Sequence, residues 1–570
     1  MNEPDFVGVV ADVAIFDEAV CLMKEKSAKA AQAETLLRRV LESAPDDVPA
    51  WHLLQHSLRL QWRFVEALAA ADKGLALAQA LSPARADYVA ALHTARSLLL
   101  HDLGRPAAAL IAAHEALQLE PDNGDFQLNL AHALLMGGDW KRGFELYRAR
   151  WAQWSLSSLH ADGVPPWPMW YGERPRAGDA LLVFADRSLC DTLQLARELP
   201  ALRACFASVT LLCEPATQRL LQHSLGPGVT CIVEPPDLAR ERSSPSWQWY
   251  LPLMSLLAVM AYTPQTLPQC VPYLFADPAR VRTWGERLAQ HEQAHGRRKL
   301  RVGLVWGGQS EEKPKNEIER RRNVPLRLFA ALLARSNVLW VSLQQGPARL
   351  AELADLDAAL RPLPWVAECA DLADTAALAA NLDLVISADS AVAHLVGAMG
   401  RPVWLLNRFE SAWRWMWRCQ DTPWYPTMRI FSQTRFGDWT ELLGRVEVAL
   451  EPLLARQPDA NILVAQRALQ AGVAQRLAGR IDQAEAAYRV ALTLAPDWAP
   501  AHYGLGNVLR EQGRSAEAEA ACRQALCLQP DMSPAAGSLA QMLQTQGRRH
   551  EAEVYGRQAL LHAPACSPKS

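Results

Sequence analysis

Residues 383–406, DLVISADSAVAHLVGAMGRPVWLL, decide the fold of the region around them. The apolar run 382–386 predicts a buried strand, and a polar Ser-Ala-Asp-Ser turn at 387–390 interrupts it. A helical pattern follows and ends at Gly400, after which Pro402 precedes a second apolar strand. Strand, turn, helix and strand in this order predict a βαβ unit, and ligands bind such units at the carboxyl ends of their strands.

The polar turn suits the binding of a phosphate group. Asp389, Ser390 and the free N–H groups of Ala391 and Val392 lie at the predicted N-terminus of the helix, which carries about half a positive charge. His394 lies one turn further along the same helix face, within reach of the same anion. The alternative is an ordinary α/β domain, in which Ser390 only caps a helix and His394 is a surface residue. The pattern alone leaves both interpretations open.

This block resembles the donor-site segment of the heptosyltransferase-like GT-B glycosyltransferases, which have Asp-Thr/Ser-x-x-x-His after a buried strand. It is most similar to the branch that carries tetratricopeptide (TPR) repeats, and the match continues through 411–433, SAWRWMWRCQDTPWYPTMRIFSQ. The resemblance implies that Ser390, Ala391 and His394, with Asp389 beside them, contact the diphosphate of a sugar nucleotide.

Length and composition set the general class of the chain. Its 570 residues allow three or four domains, and half of them are apolar, which is ordinary for a globular protein. A net charge of −3 gives no reason to expect a nucleic acid or an anionic membrane as partner. No apolar run approaches the roughly 18 residues that span a bilayer, and the acidic start lacks the basic region of a signal peptide. Eleven cysteines without a C-x-x-C pair are typical of reduced thiols, so we expect a cytoplasmic location.

The carboxyl-terminal region repeats with a period of 34 residues, which is the TPR period. Small residues let two antiparallel helices approach, glycine ends the first helix and proline stops the second. Four series keep this spacing: Gly479, Gly513 and Gly547; Ala484, Ala518 and Ala552; Ala491, Ala525 and Ala559; and Pro496, Pro530 and Pro564. The amino-terminal region has the same offsets at Gly104, Ala109, Ala113, Ala116 and Pro121.

Stacked TPR units form a curved solenoid whose concave face usually holds a peptide or protein, so we expect a protein acceptor or partner there. The alternative is that the repeats only brace the rest of the chain or make it form a homo-oligomer.

The sequence between the two arrays is α/β. The proline-rich segment 165–175 marks its start, strands are predicted at 180–184 and 209–213, and a helix is predicted at 191–202. A second α/β block begins at Lys299 with a strand that runs into a glycine turn.

The predicted fold class is therefore α/β plus all-α, a GT-B core of two Rossmann-like halves flanked on both sides by TPR helical repeats. The predicted domains are TPR-like repeats over 1–155, an acceptor half over 156–290, a nucleotide-sugar donor half over 297–455, and TPR repeats over 458–570.

Glycosyl transfer needs a base that takes the proton of the acceptor. Asp191 opens a helix after the first strand of the first half, and 191–202, DTLQLARELPAL, resembles the family stretch after a Gly-x-Gly-Asp turn whose Asp is assigned as the base. This chain departs from that pattern, with Ser188 and Cys190 at the glycine positions and Asp-Arg at 186–187 instead of Glu-Gln. Side chains there narrow the acceptor site, change the acceptor, or mark a site without turnover. The alternative is that Asp191 only caps its helix.

The second half offers groups for the leaving diphosphate. The turn Gly307-Gly308-Gln309 follows a strand, and the basic run 320–322 precedes a Pro-Leu helix start. The family has a similar run, and one of its basic side chains meets the phosphates, since the guanidinium fork fits paired phosphate oxygens. The resemblance does not say which arginine does so, and we take Arg322 as the predicted donor-binding residue of the run. The alternative is a solvated basic face.

Two further residues are placed near the nucleoside by the resemblance. Gln344 ends a predicted strand, and Asp374 lies in the DLADT segment at 371–375. The alternative is two ordinary strand-to-helix turns. P-loop and dinucleotide-binding motifs are absent from the sequence, as is any metal-ligand spacing.

The resemblance implies a metal-independent, inverting glycosyltransferase of the hexosyl or heptosyl type that uses a nucleotide sugar as co-substrate and no further cofactor. Family members with this architecture are associated with protein or cell-surface glycosylation, so the expected acceptor is a Ser or Thr of a surface or flagellar protein, presented by the TPR arrays. The alternative is a scaffold that keeps the GT-B core to bind a nucleotide or a partner protein. The sequence gives neither the sugar nor the acceptor.

Overall fold

The computed structural model describes residues 15–24, 29–81, 86–150, 167–185, 188–226, 228–233, 246–267, 271–295, 299–308, 317–455, 460–529 and 532–561. The expectations about the first residues of the chain, about 186–187 and about Gln309 lie outside these ranges.

The amino-terminal part is an array of helices that pack in antiparallel order. Gly104 and Gly138 adopt positive φ angles of 72° and 86° and end the first helix of two successive pairs. Gly143 lies so close to α7 that an added Cβ would meet Leu135 at 2.7 Å, which explains the small residue at this contact. The helices are α1 (15–24), α2 (Ala30–Ser43), α3 (Val48–Leu60), α4 (Phe64–Ala80), α5 (Ala86–Asp102), α6 (Pro106–Leu119), α7 (Gly124–Met136) and α8 (Trp140–Tyr147).

The first α/β half contains a parallel sheet with the strand order β3-β2-β1-β4. The predicted strand at 180–184 is confirmed, and β2 begins one residue before its prediction. The helix predicted over 191–202 is broken, because Pro200 cannot continue the hydrogen-bond ladder and the chain restarts there after a 3₁₀ turn at Ala196–Glu198. The elements are β1 (Ala180–Phe184), α9 (Leu189–Leu195), α10 (Leu199–Leu202), β2 (Ser208–Leu212), α11 (Pro215–Ser224), β3 (Val229–Ile232), β4 (Trp249–Pro252), α12 (Leu256–Met260) and the linking helix α13 (Pro278–His295).

The second half contains a parallel sheet with the order β6-β5-β7-β8-β9. The βαβ unit predicted around 383–406 is confirmed, although its first strand begins two residues late, because Leu382 still belongs to the turn after the preceding helix. The elements are β5 (Leu300–Val305), α14 (Glu317–Arg322), α15 (Ala330–Leu333), β6 (Val338–Ser342), α16 (Pro347–Leu350), α17 (Leu372–Ala379), β7 (Leu384–Ala388), α18 (Ala391–Ala398), β8 (Val403–Asn407), β9 (Met428–Ser432) and α19 (Trp439–Ala455).

The carboxyl-terminal array repeats a helix pair. Gly479, Gly513 and Gly547 have φ angles of 72°, 78° and 78° and end the first helix of each pair, as their spacing predicts. The helices are α20 (Ala460–Leu477), α21 (Ile481–Leu494), α22 (Ala499–Glu511), α23 (Ser515–Leu528), α24 (Ser533–Thr545) and α25 (Arg549–Leu561).

The amino-terminal array is joined to the α/β core by buried contacts. Trp140 stacks on Trp424 of the second half with ring centroids 5.1 Å apart, and one continuous apolar cluster includes residues of α7, α8 and both sheets. The buried Arg321 donates to Asp102 of α5 at 2.8 Å. These contacts fix the array to the half that carries the predicted donor site.

None of the described helices is long and apolar enough to cross a membrane. Every cysteine in the described ranges is a free thiol, as the sequence predicts.

Candidate active site

The candidate site lies where the carboxyl ends of the two sheets meet. In the second sheet β6 pairs with one side of β5, whereas β7 pairs with the other side. The strand order reverses at β5, and parallel sheets bind ligands in the crevice at such a switch point. Gly307 follows β5, while Asp389 and Ser390 follow β7, so these predicted residues border the crevice. From the first half, α9 packs against α18 and brings Asp191 to the same place.

A cavity of about 350 Å³ lies between the two halves. Leu189 and Ala216 line it from the first half. Four of the predicted donor-binding residues line it from the second half, namely Gly307, Gln344, Ser390 and Ala391. A cavity of this size, formed at a domain interface, is suited to a small-molecule ligand.

The helix α18 begins as predicted. Ser390 is its N-cap, and its hydroxyl accepts from the N–H of Ala393 at 3.4 Å and contacts the Ser387 hydroxyl at 2.9 Å. The N–H groups of Ala391 and Val392 therefore face the cavity side of the helix start, where these two residues line the cavity.

His394 is fully buried, so the alternative of a surface histidine is wrong. Its ring lies against Trp415 with centroids 5.0 Å apart, and its Nδ1 is 2.8 Å from the hydroxyl of Tyr425. Burial, helped by the positive charge of Arg414, lowers the pKa of His394 to about 3, so the imidazole is neutral at physiological pH.

Tyr425 holds one of the two ring nitrogens of His394. Nδ1 shares a hydrogen bond of 2.8 Å with the Tyr425 hydroxyl. The other ring nitrogen, Nε2, has no hydrogen-bond partner among the described residues.

The helix α9 begins with a serine cap that also binds the Asp191 side chain. Ser188 is the N-cap, and its hydroxyl accepts from the Asp191 N–H at 3.3 Å and donates to the Asp191 carboxylate at 2.7 Å. The alternative that Asp191 itself caps the helix is therefore wrong. Ser188 stands at a glycine position of the family turn, so the departure at this position holds the carboxylate of Asp191 in one orientation.

Arg414 is a site residue that the sequence did not single out. Its guanidinium forms a buried ion pair with the Asp191 carboxylate, and its Nε donates to Gln194 at 3.0 Å. Burial alone would lower the pKa of Arg414, but Asp191 and Asp389 raise it overall, so the group is a permanent cation. The signal was present, because Arg414 lies in the 411–433 block that resembles the family.

Asp389 and Cys190 share these charged surroundings. Burial would raise the pKa of Asp389, but the positive charges of Arg322, Arg414 and Arg408 lower it, so the side chain stays a carboxylate. Burial and the charge of Asp389 raise the pKa of the Cys190 thiol to about 12. Cys190 is therefore a neutral thiol at physiological pH and not a nucleophile.

The basic run divides into three different environments. Arg320 lies over the Trp62 ring at 5.1 Å, and Arg321 pairs with Asp102, so both face the amino-terminal array. Arg322 faces the site instead, where its guanidinium lies against Gly308: an added Cβ there would meet Nη2 at 2.4 Å. Arg322 is therefore the member of the run that faces the site, and its predicted contact with the phosphates stays a prediction.

The glycine turn is organised by side chains. The Oε1 atom of Gln344 accepts from the N–H groups of Trp306 and Gly307 at 3.0 and 2.9 Å, and Asn323 accepts from Gly308 N–H at 2.8 Å. These N–H groups are already satisfied, so Gln344 shapes the turn, and its predicted contact with the nucleoside stays a prediction.

Asp374 faces the first half of the core. Its buried carboxylate pairs with Arg280 and with Arg219 of α11, and it accepts from Ala370 N–H at 3.1 Å. Asp371 caps α17 and also pairs with Arg219, and it lines the cavity. The carboxylate of Asp374 is thus held by two arginines, and its predicted contact with the nucleoside stays a prediction.

The described part of the chain contains no group of three or more His, Cys, Asp or Glu side chains that could hold a metal ion.

Tetratricopeptide repeat models match the chain over residues 94–151 and 499–532, which confirms the predicted repeats at both ends. Together with two facing parallel sheets between the repeats, they define the class of the protein: a TPR protein with a GT-B-type core, the architecture that its resemblance to the heptosyltransferase-like enzymes implies.

Individual proteins are similar to this chain. Protein FlbA of Caulobacter vibrioides is 27% identical over 464 residues, which cover 78% of this chain and 74% of that protein. The ADP-heptose lps heptosyltransferase II of E. coli is 16% identical with a TM-score of 0.35, covering 48% of this chain and 98% of that one. An O-GlcNAc transferase from Thermobaculum terrenum is 17% identical with a TM-score of 0.25, covering 96% and 99%.

Proposed function

We propose that this chain is a metal-independent, inverting glycosyltransferase of the hexosyl or heptosyl type that moves a sugar from a nucleotide-sugar donor to an acceptor hydroxyl. The observation that carries the proposal is the meeting of Asp191 from one half with Arg322, Arg414 and the start of α18 from the other, beside a cavity of about 350 Å³. A base and a set of cations on opposite sides of a cleft are what a single displacement at a sugar carbon requires.

In this reaction the acceptor oxygen forms a bond to the anomeric carbon, and its proton goes to the carboxylate of Asp191. The bond between that carbon and the diphosphate oxygen breaks, and the electron pair leaves with the diphosphate. Arg322, Arg414 and the N–H groups at the start of α18 would meet the negative charge, which is the role that a metal ion has in other enzymes.

We further propose that the acceptor is a Ser or Thr of a surface or flagellar protein and that the transfer takes place in the cytoplasm. The two TPR arrays support a protein rather than a small acceptor, because stacked repeats form extended concave surfaces that bind peptides.

The test is release of nucleotide from a panel of nucleotide sugars, compared between the wild-type protein and Asp191→Asn. The substitution keeps the size and the hydrogen bond to Ser188 but removes the basicity, so turnover should fall by about 10²–10⁴-fold. Turnover close to wild type in the folded variant would exclude Asp191 as the base.

The alternative function is a scaffold that binds nucleotide or a partner protein without turnover. The ion pair between Asp191 and Arg414 favours this alternative, because it occupies the carboxylate that would act as the base. A wild-type protein that binds a nucleotide sugar and never releases the nucleotide, with any protein acceptor supplied, would support the scaffold.

A further inference from the structure

The ion pair between Arg414 and Asp191 joins the two halves at the candidate site. Asp191 belongs to α9 of the first half, and Arg414 follows β8 of the second half. The carboxylate side chain is 8% exposed and the guanidinium side chain 16%, so water screens their attraction only weakly. In this state the proposed base has a cation against one oxygen and the Ser188 hydroxyl against the other.

In the empty site the carboxylates already have cations beside them. Arg414 pairs with Asp191, and Arg322, Arg414 and Arg408 lie close enough to Asp389 to lower its pKa against the effect of burial, while His394 is neutral. A nucleoside diphosphate adds at least two negative charges to the same region. A buried charge without a partner is costly, so a cation must turn towards the phosphates.

Arg414 is the cation that is able to do so. Its Nη1 donates to no described residue, and its Nε is held by the neutral amide of Gln194. The guanidinium carbon lies 5.0 Å from the centroid of the Trp413 ring, so a cation–π contact stabilises the head without using any of its hydrogen-bond donors.

We propose that Arg414 exchanges partners during the reaction: it pairs with Asp191 in the empty cleft and transfers to the donor diphosphate when the nucleotide sugar binds. The inference rests on the proposed function and deepens it, because it assigns Arg414 as a positioning residue for both substrates. Asp191 becomes a free base only when the donor is present. Donor therefore binds before acceptor, and the acceptor hydroxyl is not activated in an empty site.

A thermodynamic cycle on binding alone tests the exchange. The probes are UDP, GDP, ADP and inorganic pyrophosphate, with affinity measured by calorimetry on the full chain. Asp191→Asn removes the competitor for Arg414, so affinity for the diphosphate should rise by about 3- to 10-fold, the equivalent of a partly buried ion pair. Arg414→Gln should lower it by about 10-fold or more. In the Arg414→Gln background, Asp191→Asn should have no further effect.

The control is Glu292→Gln, which breaks another buried pair, with Arg301 at the amino-terminal end of β5, whereas the site borders the carboxyl-terminal end of that strand. It should leave the affinity unchanged. An equal rise in diphosphate affinity in this control would overturn the exchange while the proposed function stands. Unchanged or lower affinity in Asp191→Asn would do the same. If none of the probes binds the wild-type protein, the exchange and the proposed function are both wrong. Circular dichroism checks the fold of each variant, and Arg414→Met, which also removes the charge, replaces Arg414→Gln if the latter does not fold.

Discussion

Three consecutive arginines carry out different tasks because a helix turns each of them to a different neighbour. Arg320 and Arg321 reach Trp62 and Asp102 of the amino-terminal array, whereas Arg322 reaches the glycine turn of the site. A sequence alone cannot separate them, since the run has one composition and the separation depends on where an array more than 200 residues away is docked.

Arg322→Gln should weaken the binding of a nucleoside diphosphate by about 1.5–3 kcal/mol, because it removes a hydrogen bond between charged groups. The matched control is Arg320→Gln, which changes the same side chain in an exposed position on the far side of the helix. Calorimetry on both variants measures the difference. Equal losses in the two variants would mean that the run acts only as a general positive field.

The resemblance implies that His394 contacts the diphosphate. In the empty site its pKa of about 3 leaves the imidazole neutral. An adjacent diphosphate raises that pKa, because an opposite charge favours the imidazolium.

Binding of a nucleoside diphosphate should therefore take up a proton at His394. A pKa that rises on binding means that the gain in affinity is complete only below the pKa of the empty site, about 3, and is lost as the pH rises through the pKa of the complex. Calorimetry in buffers with different ionisation enthalpies, between about pH 5 and pH 8, counts the protons. His394→Asn should abolish the uptake. A proton count of zero in the wild type would show that His394 does not meet the phosphates as an imidazolium.

At the scale of elements, the sequence predicted the βαβ unit, the glycine-ended repeat helices and the strand at 180–184, because each depends on local periodicity and turn residues. It did not predict the break at Pro200, the cap at Ser188 or the role of Arg414. The cap was hidden because the family turn has glycine there, and Arg414 because its partner lies 223 residues away in the chain.

The helix α18 depends on close packing against Tyr425. Gly397 lies under that ring, and an added Cβ would meet Cγ of Tyr425 at 2.7 Å. Gly397→Ala should therefore destabilise the protein by about 1–3 kcal/mol, the usual cost of overpacking, and should move Tyr425 away from His394. Urea unfolding, with nucleotide affinity as a second measurement, checks both effects.

The matched control is Gly444→Ala in α19, where an added Cβ meets nothing within 4 Å. There the helix should gain about 0.5–1 kcal/mol, because alanine loses less backbone entropy than glycine. If both substitutions destabilise the protein to the same extent, the packing under Tyr425 is not the reason why position 397 requires glycine.

At the scale of the whole molecule, the two arrays are attached in different ways. The amino-terminal array shares a continuous apolar cluster with the core, stacks Trp140 on Trp424, and places Asp102 against Arg321. The carboxyl-terminal array approaches the core through α20, where Arg467 donates to Asn381 at 3.2 Å. We therefore expect the amino-terminal array to fold together with the core, and the carboxyl-terminal array to fold independently of it.

Deletion of residues 458–570 should therefore leave the core folded, whereas deletion of the amino-terminal array should unfold it, because the latter exposes Trp424 and leaves Arg321 without Asp102. Thermal unfolding followed by circular dichroism measures this difference.

If the carboxyl-terminal array presents a protein acceptor, its deletion should reduce modification of a protein more than release of nucleotide from the donor alone, because the donor cavity lies between the two halves of the core. Protein modification that persists at the wild-type rate in a folded deletion variant would show that the array only braces the enzyme.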